Sequence, residues 1–258
     1  MMLADQLSGT RQRWYGVVFL LPVIAAFALG QWVASAILVV LAAIMALELR
    51  SLLALPPKAG AVLFAFLVLA ALPLPALNIF DHLLLGVVAA CAAGGVVVFY
   101  KPPLFGVFTI FLMLCMLSAN RLLVLDSGHV VILSLAAVIA AGDSAAYFVG
   151  RSLGGPKLLV AVSPNKTLSG CVGGLVAASI TCVILADFLY LESISAAIGS
   201  GLVLGFVAQS GDLLESAVKR RAGVKDSGTI IPGHGGLLDR FDGYLLVLPL
   251  ALAYISLL

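Results

Sequence analysis

The feature that most constrains this chain is a series of nine apolar stretches, at about 14–29, 31–48, 59–77, 82–100, 103–120, 129–149, 170–190, 195–214 and 241–257, parted by short segments that carry most of the charge. A helix needs about 20 apolar residues to cross the hydrocarbon core of a bilayer, and within lipid it satisfies its own backbone hydrogen bonds. Of the 258 residues, 63% are hydrophobic and 10% are charged, whereas a soluble domain carries about 25% charge. No water-exposed surface can be built from this composition. The predicted fold is therefore all-α: a polytopic integral membrane protein with about nine transmembrane helices. The first two stretches meet at Gly30-Gln31 and read either as a tight hairpin or as one long tilted helix, which would make the count eight. No repeat of fixed period is visible.

Orientation follows from the basic residues, because Lys and Arg beside membrane spans are retained on the cytoplasmic side. With nine spans and a cytoplasmic N-terminus, Arg121 alone of the 14 basic residues falls on the outer side, and the C-terminus lies outside. The longest interruptions in the apolar pattern, 150–169 and 215–240, then face the cytoplasm, and chemistry is expected there. The expected organisation is an N-terminal scaffold of transmembrane helices over 1–125, followed by C-terminal transmembrane helices over 126–258 that bear those two catalytic loops. Compactness and the lack of a transit segment point to a bacterial cytoplasmic (inner) membrane.

Several function classes are excluded or disfavoured. A net charge of +2, with the basic residues scattered through apolar sequence, provides no basic stripe for nucleic acid. Cys91, Cys115, Cys171 and Cys182 lie in apolar stretches with no Cys-x-x-Cys pair, and read as small buried hydrophobes. Arg11 and Arg13 before Trp14, with Ala34-Ser35-Ala36 downstream, imitate a signal peptide, but the apolar run is too long and more spans follow. No Gly-x-x-x-x-Gly-Lys-Ser/Thr loop occurs, so nucleotide binding of the Walker type is excluded. Ser216-Ala217-Val218-Lys219 has a Ser-x-x-Lys spacing without its partner motifs, and the sequon Asn165-Lys166-Thr167 lies on the cytoplasmic side. His82 and His129 read as interfacial.

The richest polar stretch runs from Gly211-Asp212 through Lys225-Asp226-Ser227-Gly228 to Pro232-Gly233-His234-Gly235-Gly236 and Asp239-Arg240-Phe241-Asp242. On the end of the eighth predicted helix, Asp212, Ser216 and Lys219 share a face, with Glu215 beside them. Asp239 and Asp242 are expected in the first turn of the ninth helix. Carboxylates gathered by two helix ends near a membrane need a counter-charge, and oxygen-only ligands suit Mg²⁺, whose remaining positions are filled by water and phosphate. Lys219, Arg220, Arg221, Lys225 and Arg240 would neutralise phosphate oxygens, and the glycines would let backbone amides approach them. His234 could contact phosphate. A second cluster holds Asp143, within an apolar span about two turns from its cytoplasmic end, and Lys166-Thr167 at a helix start. An intramembrane carboxylate is a functional candidate by default, and a helix start is a good position for phosphate.

These residues resemble the phosphatidate cytidylyltransferases, or CDP-diacylglycerol synthases. That family's signature, Ser-x-x-Lys-Arg-x4-Lys-Asp-x-Gly-x2-Ile-Pro-x-His-Gly-Gly-x-x-Asp-Arg-x-Asp, is matched without a gap from Ser216 to Asp242. The resemblance extends back through Gly211-Asp212, Ser163-Pro164 to Gly170, and Asp143 to Arg151; the N-terminal half matches only in hydrophobic character. The chain departs from the family at Asn165 and at Ser169, where lysine and glutamate are usual, and at Gly243, where serine is usual. Ser169 is therefore given no catalytic role.

The resemblance implies transfer of a cytidylyl group from CTP to phosphatidate in a membrane, yielding CDP-diacylglycerol and pyrophosphate for phospholipid synthesis. It implies Mg²⁺ held by Asp212, Asp239 and Asp242, in a two-ion site whose second ion is divalent or monovalent, such as K⁺. Lys219, Lys225, Asp226 and Arg240 would be catalytic. Asp143, Lys166, Ser216, Arg220, His234, Gly235 and Gly236 would bind substrate. A homodimer is left open. Two rivals stand beside this reading: a CTP-dependent lipid kinase, and an ion-coupled transporter using Asp143 and Asp212. The transporter gives no reason for the Lys-Asp and His-Gly-Gly segments on one loop.

Overall fold

Prolines and small polar residues divide the apolar sequence into helices. The computed structural model describes residues 31–72, 79–230 and 235–257; the first apolar stretch, 14–29, lies outside them. The helices are α1 (Gln31–Leu52), α2 (Pro57–Ala71), α3 (Ile79–Tyr100), α4 (Pro103–Val124), α5 (Gly128–Leu153), α6 (Leu168–Ile184), α7 (Ile194–Arg221), α8 (Leu238–Phe241) and α9 (Tyr244–Ile255). Pro57 and Pro103 open α2 and α4, where proline's missing N–H has no helical acceptor to lose. Thr167 and Ser193 cap α6 and α7 by accepting from the amides of Gly170 and Ala196.

Four helices, Trp32–Leu52, Pro103–Val124, Gly128–Leu153 and Ile194–Arg221, are long and apolar enough to cross a membrane, and shorter apolar helices accompany them. Large apolar side chains point outward along the bundle, among them Phe99, Phe148, Ile184 and Phe206. Such a surface would be a liability in water and is the natural exterior of a protein solvated by lipid. The chain is a helical membrane protein.

Two kinds of packing build the interior. Around α1, α2 and α4 the core is filled by large side chains, including Met45, Leu49, Leu63, Leu67, Phe108 and Leu112. Between α5 and α6 it is built from small ones. A Cβ placed on Gly170 would come 2.6 Å from the Ala146 carbonyl oxygen, and one on Gly174 would come 2.9 Å from that of Gly142. Close backbone approach through small residues is how helices associate without a hydrophobic driving force. Helix α9 reaches both α4 and α7: the Cys115 thiol of α4 donates to the Tyr244 carbonyl at 3.5 Å.

The structure corrects the expected connections. The supposed loop 215–240 begins as helix, because α7 continues to Arg221. Within 150–169, α5 runs to Leu153 and is followed by an antiparallel hairpin of β1 (Lys157–Leu159) and β2 (Ser163–Thr167), with Lys157 opposite Thr167 and Leu159 opposite Ser163. The stretch 170–190 is a helix over 168–184 and a short 3-10 turn, Asp187–Leu189. The ninth stretch is not one helix. Asp239 lies in the single turn α8 and Asp242 follows as its C-terminal cap; the helical hydrogen-bond pattern lapses at Asp242-Gly243 before α9, although both residues keep right-handed helical backbone angles, so the two acids stay one turn apart.

Candidate functional site

Helix α7 is the axis of the site. Asp212, Glu215, Ser216 and Lys219 fall on neighbouring ridges of its last turns. The Ser216 hydroxyl donates to Asp212 Oδ1 at 3.3 Å. Lys219 Nζ lies 2.6 Å from Glu215 Oε2 and 2.6 Å from Asp239 Oδ1, so one ammonium joins α7 to α8. From the hairpin, Lys166 Nζ pairs with Asp212 Oδ2 at 2.5 Å. Asp242 enters from the break before α9, where the backbone passes so close to Gly211 that a Cβ there would collide with the Asp242 carbonyl. Asp143 of α5 stands within electrostatic reach of Asp212, Lys166 and Asp242.

Three carboxylates, from Asp212, Glu215 and Asp242, converge with oxygen atoms within 4.8 Å of one another. Glu215 is buried, and neither of its oxygens accepts a hydrogen bond from another described group, Lys219 being its ion-pair partner. Burial, and then the neighbouring Asp212 charge, push the Asp242 carboxyl above the usual carboxylate range. A cluster of this kind asks for a cation, and its all-oxygen donor set fits a hard ion such as Mg²⁺.

Asp239 is differently placed. Its Oδ2 accepts from the Gly236 amide at 2.7 Å, the Ser227 amide at 3.0 Å and the Ser227 hydroxyl at 3.0 Å, while Oδ1 accepts from Lys219. Burial opposes its charge, but the Lys219 ammonium and these amides outweigh it and hold the carboxyl below its ordinary value. The fold around Asp239 needs its glycines. Gly235 has φ +82°, and a Cβ there would meet Asp239 Oδ2 at 2.5 Å.

Of the remaining sequence-predicted residues, Lys225, Asp226 and Arg240 are exposed at the rim. Arg220 reaches the hairpin, its Nε donating to the Val162 carbonyl at 3.4 Å, and also donates to Val224. His234 lies outside the described residues. Ser169, where the resemblance anticipates an acid, packs locally: its hydroxyl donates to the Gly154 carbonyl and lies 3.1 Å from that of Thr167.

One residue of this neighbourhood was not anticipated. Glu48, near the end of α1 and buried, accepts from the Leu237 amide at 2.8 Å and the Leu238 amide at 2.9 Å, and lies 3.4 Å from the Ser227 hydroxyl, whose single proton it shares with Asp239. The signal was present in the sequence: a carboxylate near the end of an otherwise apolar stretch. Its partners, 179 to 190 residues away, were not.

The sequence model of the cytidylyltransferase family matches residues 10–258. This chain belongs to that family. Similar proteins include the phosphatidate cytidylyltransferase of Brucella suis biovar 1 (strain 1330), 50% identical over 134 residues, which cover 50% of this chain and 47% of the relative. The phosphatidate cytidylyltransferase of Bacillus subtilis (strain 168) is 49% identical over 119 residues, 43% of this chain and 42% of the relative. That of Staphylococcus aureus (strain COL) is 46% identical over 109 residues, 42% of each. The chain spans about half the length of the curated relatives it matches.

Proposed function

We propose that this protein is a phosphatidate cytidylyltransferase of the bacterial inner membrane, with its site facing the cytoplasm. The observation that carries the reading is the convergence of Asp212, Glu215 and Asp242 beside Lys219 and Lys166, drawn from the hairpin, α7 and the α8–α9 break. A phosphate oxygen of phosphatidate attacks the α-phosphorus of CTP, forming a new phosphorus–oxygen bond as the bond to pyrophosphate breaks. The nucleophile is already ionised at neutral pH, so no general base is required.

Asp212, Glu215 and Asp242 would hold Mg²⁺; when bound, the ion supplies charge compensation for the phosphates and stabilises the departing pyrophosphate. Asp239, which shares Lys219 with Glu215, would complete a two-ion site whose second ion is divalent or monovalent. Lys219 orients Glu215 and Asp239 and offers positive charge to the transferred group. Lys166 exchanges its Asp212 contact for a phosphate oxygen. Lys225, Asp226, Arg220 and Arg240 line the approach for CTP from water, together with Gly235 and Gly236, and His234 is a phosphate contact by its sequence motif alone. Asp143 and Ser216 would meet the phosphatidate head group while the acyl chains remain in lipid. The helices before residue 125 form the scaffold, and nine spans with a cytoplasmic N-terminus place the basic residues on the site's side of the membrane.

The test is incorporation of label from α-labelled and γ-labelled CTP into lipid by purified protein given phosphatidate and Mg²⁺. Label from the α position, absent in Asp212→Asn, is the expected result. Label from the γ position alone would make the protein a lipid kinase. No lipid label from folded protein would overturn the transferase reading.

A further inference from the structure

We infer that Glu48, in the N-terminal half, is a positioning residue that holds the Ser227 turn and the start of α8, and through them Asp239, in register with Lys219. The inference rests on the transferase reading for its kinetic part and on geometry for the rest. A buried charge must find partners or be excluded from the fold. Glu48 sits among Met45, Ala46 and Leu49 in the apolar core, only 4% exposed. Its oxygens are satisfied by the segment that carries Asp239: Oε1 by the Leu237 amide and Oε2 by the Leu238 amide, with the Ser227 hydroxyl, whose one proton is shared with Asp239, 3.4 Å from Oε2.

Those two amides open a single helical turn and have no helical carbonyl to receive them. Without Glu48 they would be buried donors lacking an acceptor. The segment is shaped to the carboxylate. A Cβ on Gly228 or on Gly236 would come within 2.8 Å of Glu48 Oε1, so each glycine lets the backbone close over it. Ser227 is the bridge. Its hydroxyl lies 3.4 Å from Glu48 Oε2 and 3.0 Å from Asp239 Oδ2, and its amide donates to Asp239 as well. Glu48 therefore acts through others, across the boundary between the scaffold helices and the catalytic segment.

Glu48→Gln keeps the shape but replaces one acceptor oxygen with an amino group, so an amide donor of Leu237 or Leu238 faces another donor. In the full-length protein in inverted membrane vesicles, kcat for lipid cytidylylation is expected to fall about 10²-fold. The KM for phosphatidate should stay unchanged. Trypsin should cleave after the exposed Lys225 about tenfold faster than in wild type, because the turn opens more often. Glu48→Asp, which keeps both oxygens on a shorter arm, should fall between on both readouts. A purely structural role would reduce the amount of folded protein without dividing kcat from KM.

Wild-type kcat and cleavage in folded Glu48→Gln would overturn the inference, and so would a fall in kcat with cleavage at Lys225 unchanged. If wild type labels no lipid, the transferase reading fails, and the cleavage comparison still decides whether Glu48 holds the turn. If Glu48→Gln does not accumulate, Ser227→Ala removes the bridge from its other end and carries the same two measurements.

Discussion

Lys219 concentrates the energetics of the site in one ammonium, shared by a buried glutamate on its own helix and by Asp239 on α8. Removing one member of a buried ion pair leaves an uncompensated charge, which costs about 3–5 kcal/mol. Lys219→Met is therefore expected to destabilise the protein by about 3 kcal/mol in thermal melts in detergent, and to abolish lipid labelling. Adding Asp239→Asn should cost much less than the two single changes summed, since the second removes a charge the first has stranded. Additive losses would show that the two groups act independently. At this scale the sequence was legible where neighbours in space are neighbours in the chain. Asp212, Ser216 and Lys219 share a helical face by spacing alone, and Glu215 lies beside them. Glu48 was not legible, because its meaning depends on tertiary pairing across the molecule. Asp239 was legible as a residue that mattered but not in its contacts, because the amides of Ser227 and Gly236 reach it through a loop that has no periodicity.

Helices α5 and α6 depend on glycine at their contact. Gly174→Leu must push against the Gly142 carbonyl at 2.9 Å and the Gln209 amide at 3.0 Å, and overpacking of this kind costs about 1–3 kcal/mol. Gly199→Ala on α7 meets nothing within 4 Å, so it should melt within about 1 kcal/mol of wild type. Equal melting of the two variants would contradict the close α5–α6 contact. Because α5 carries Asp143 and α6 follows the strand that carries Lys166, Gly174→Leu should also lower activity in the protein that remains folded. Most described helices coincide with apolar stretches, since composition alone marks a span. What composition could not mark is where helix persists into polar sequence. The end of α7, Glu215 to Arg221, lies beyond the apolar stretch that ends at 214, and there only the spacing of Asp212, Ser216 and Lys219 marks helix, its lysine and arginines suiting a helix C-terminus. Strand β2 of the hairpin, Ser163–Thr167, lacks alternation and contains Pro164, so neither strand signal was available.

For the whole molecule, the decisive property is which water layer the site meets. The Lys166–Asp212 pair, the Lys219 pairs and the Glu48 contacts lie where α7 ends and where α5 gives way to the hairpin. The connection from α6 to α7, with exposed Glu192, lies a full helix away from them. The two regions should therefore meet opposite sides of the membrane. The excess of Lys and Arg on the first is the ground on which the proposed function puts it in the cytoplasm. In a variant whose four cysteines are replaced, a single cysteine at Lys157→Cys, exposed in β1, should react with a membrane-impermeant maleimide in inverted vesicles and not in intact cells. Glu192→Cys should show the reverse. Reversal of both patterns would move the site to the outer face, away from cytoplasmic CTP, and defeat the transferase reading. Reaction of both positions from one side would instead mean that α7 does not cross the bilayer.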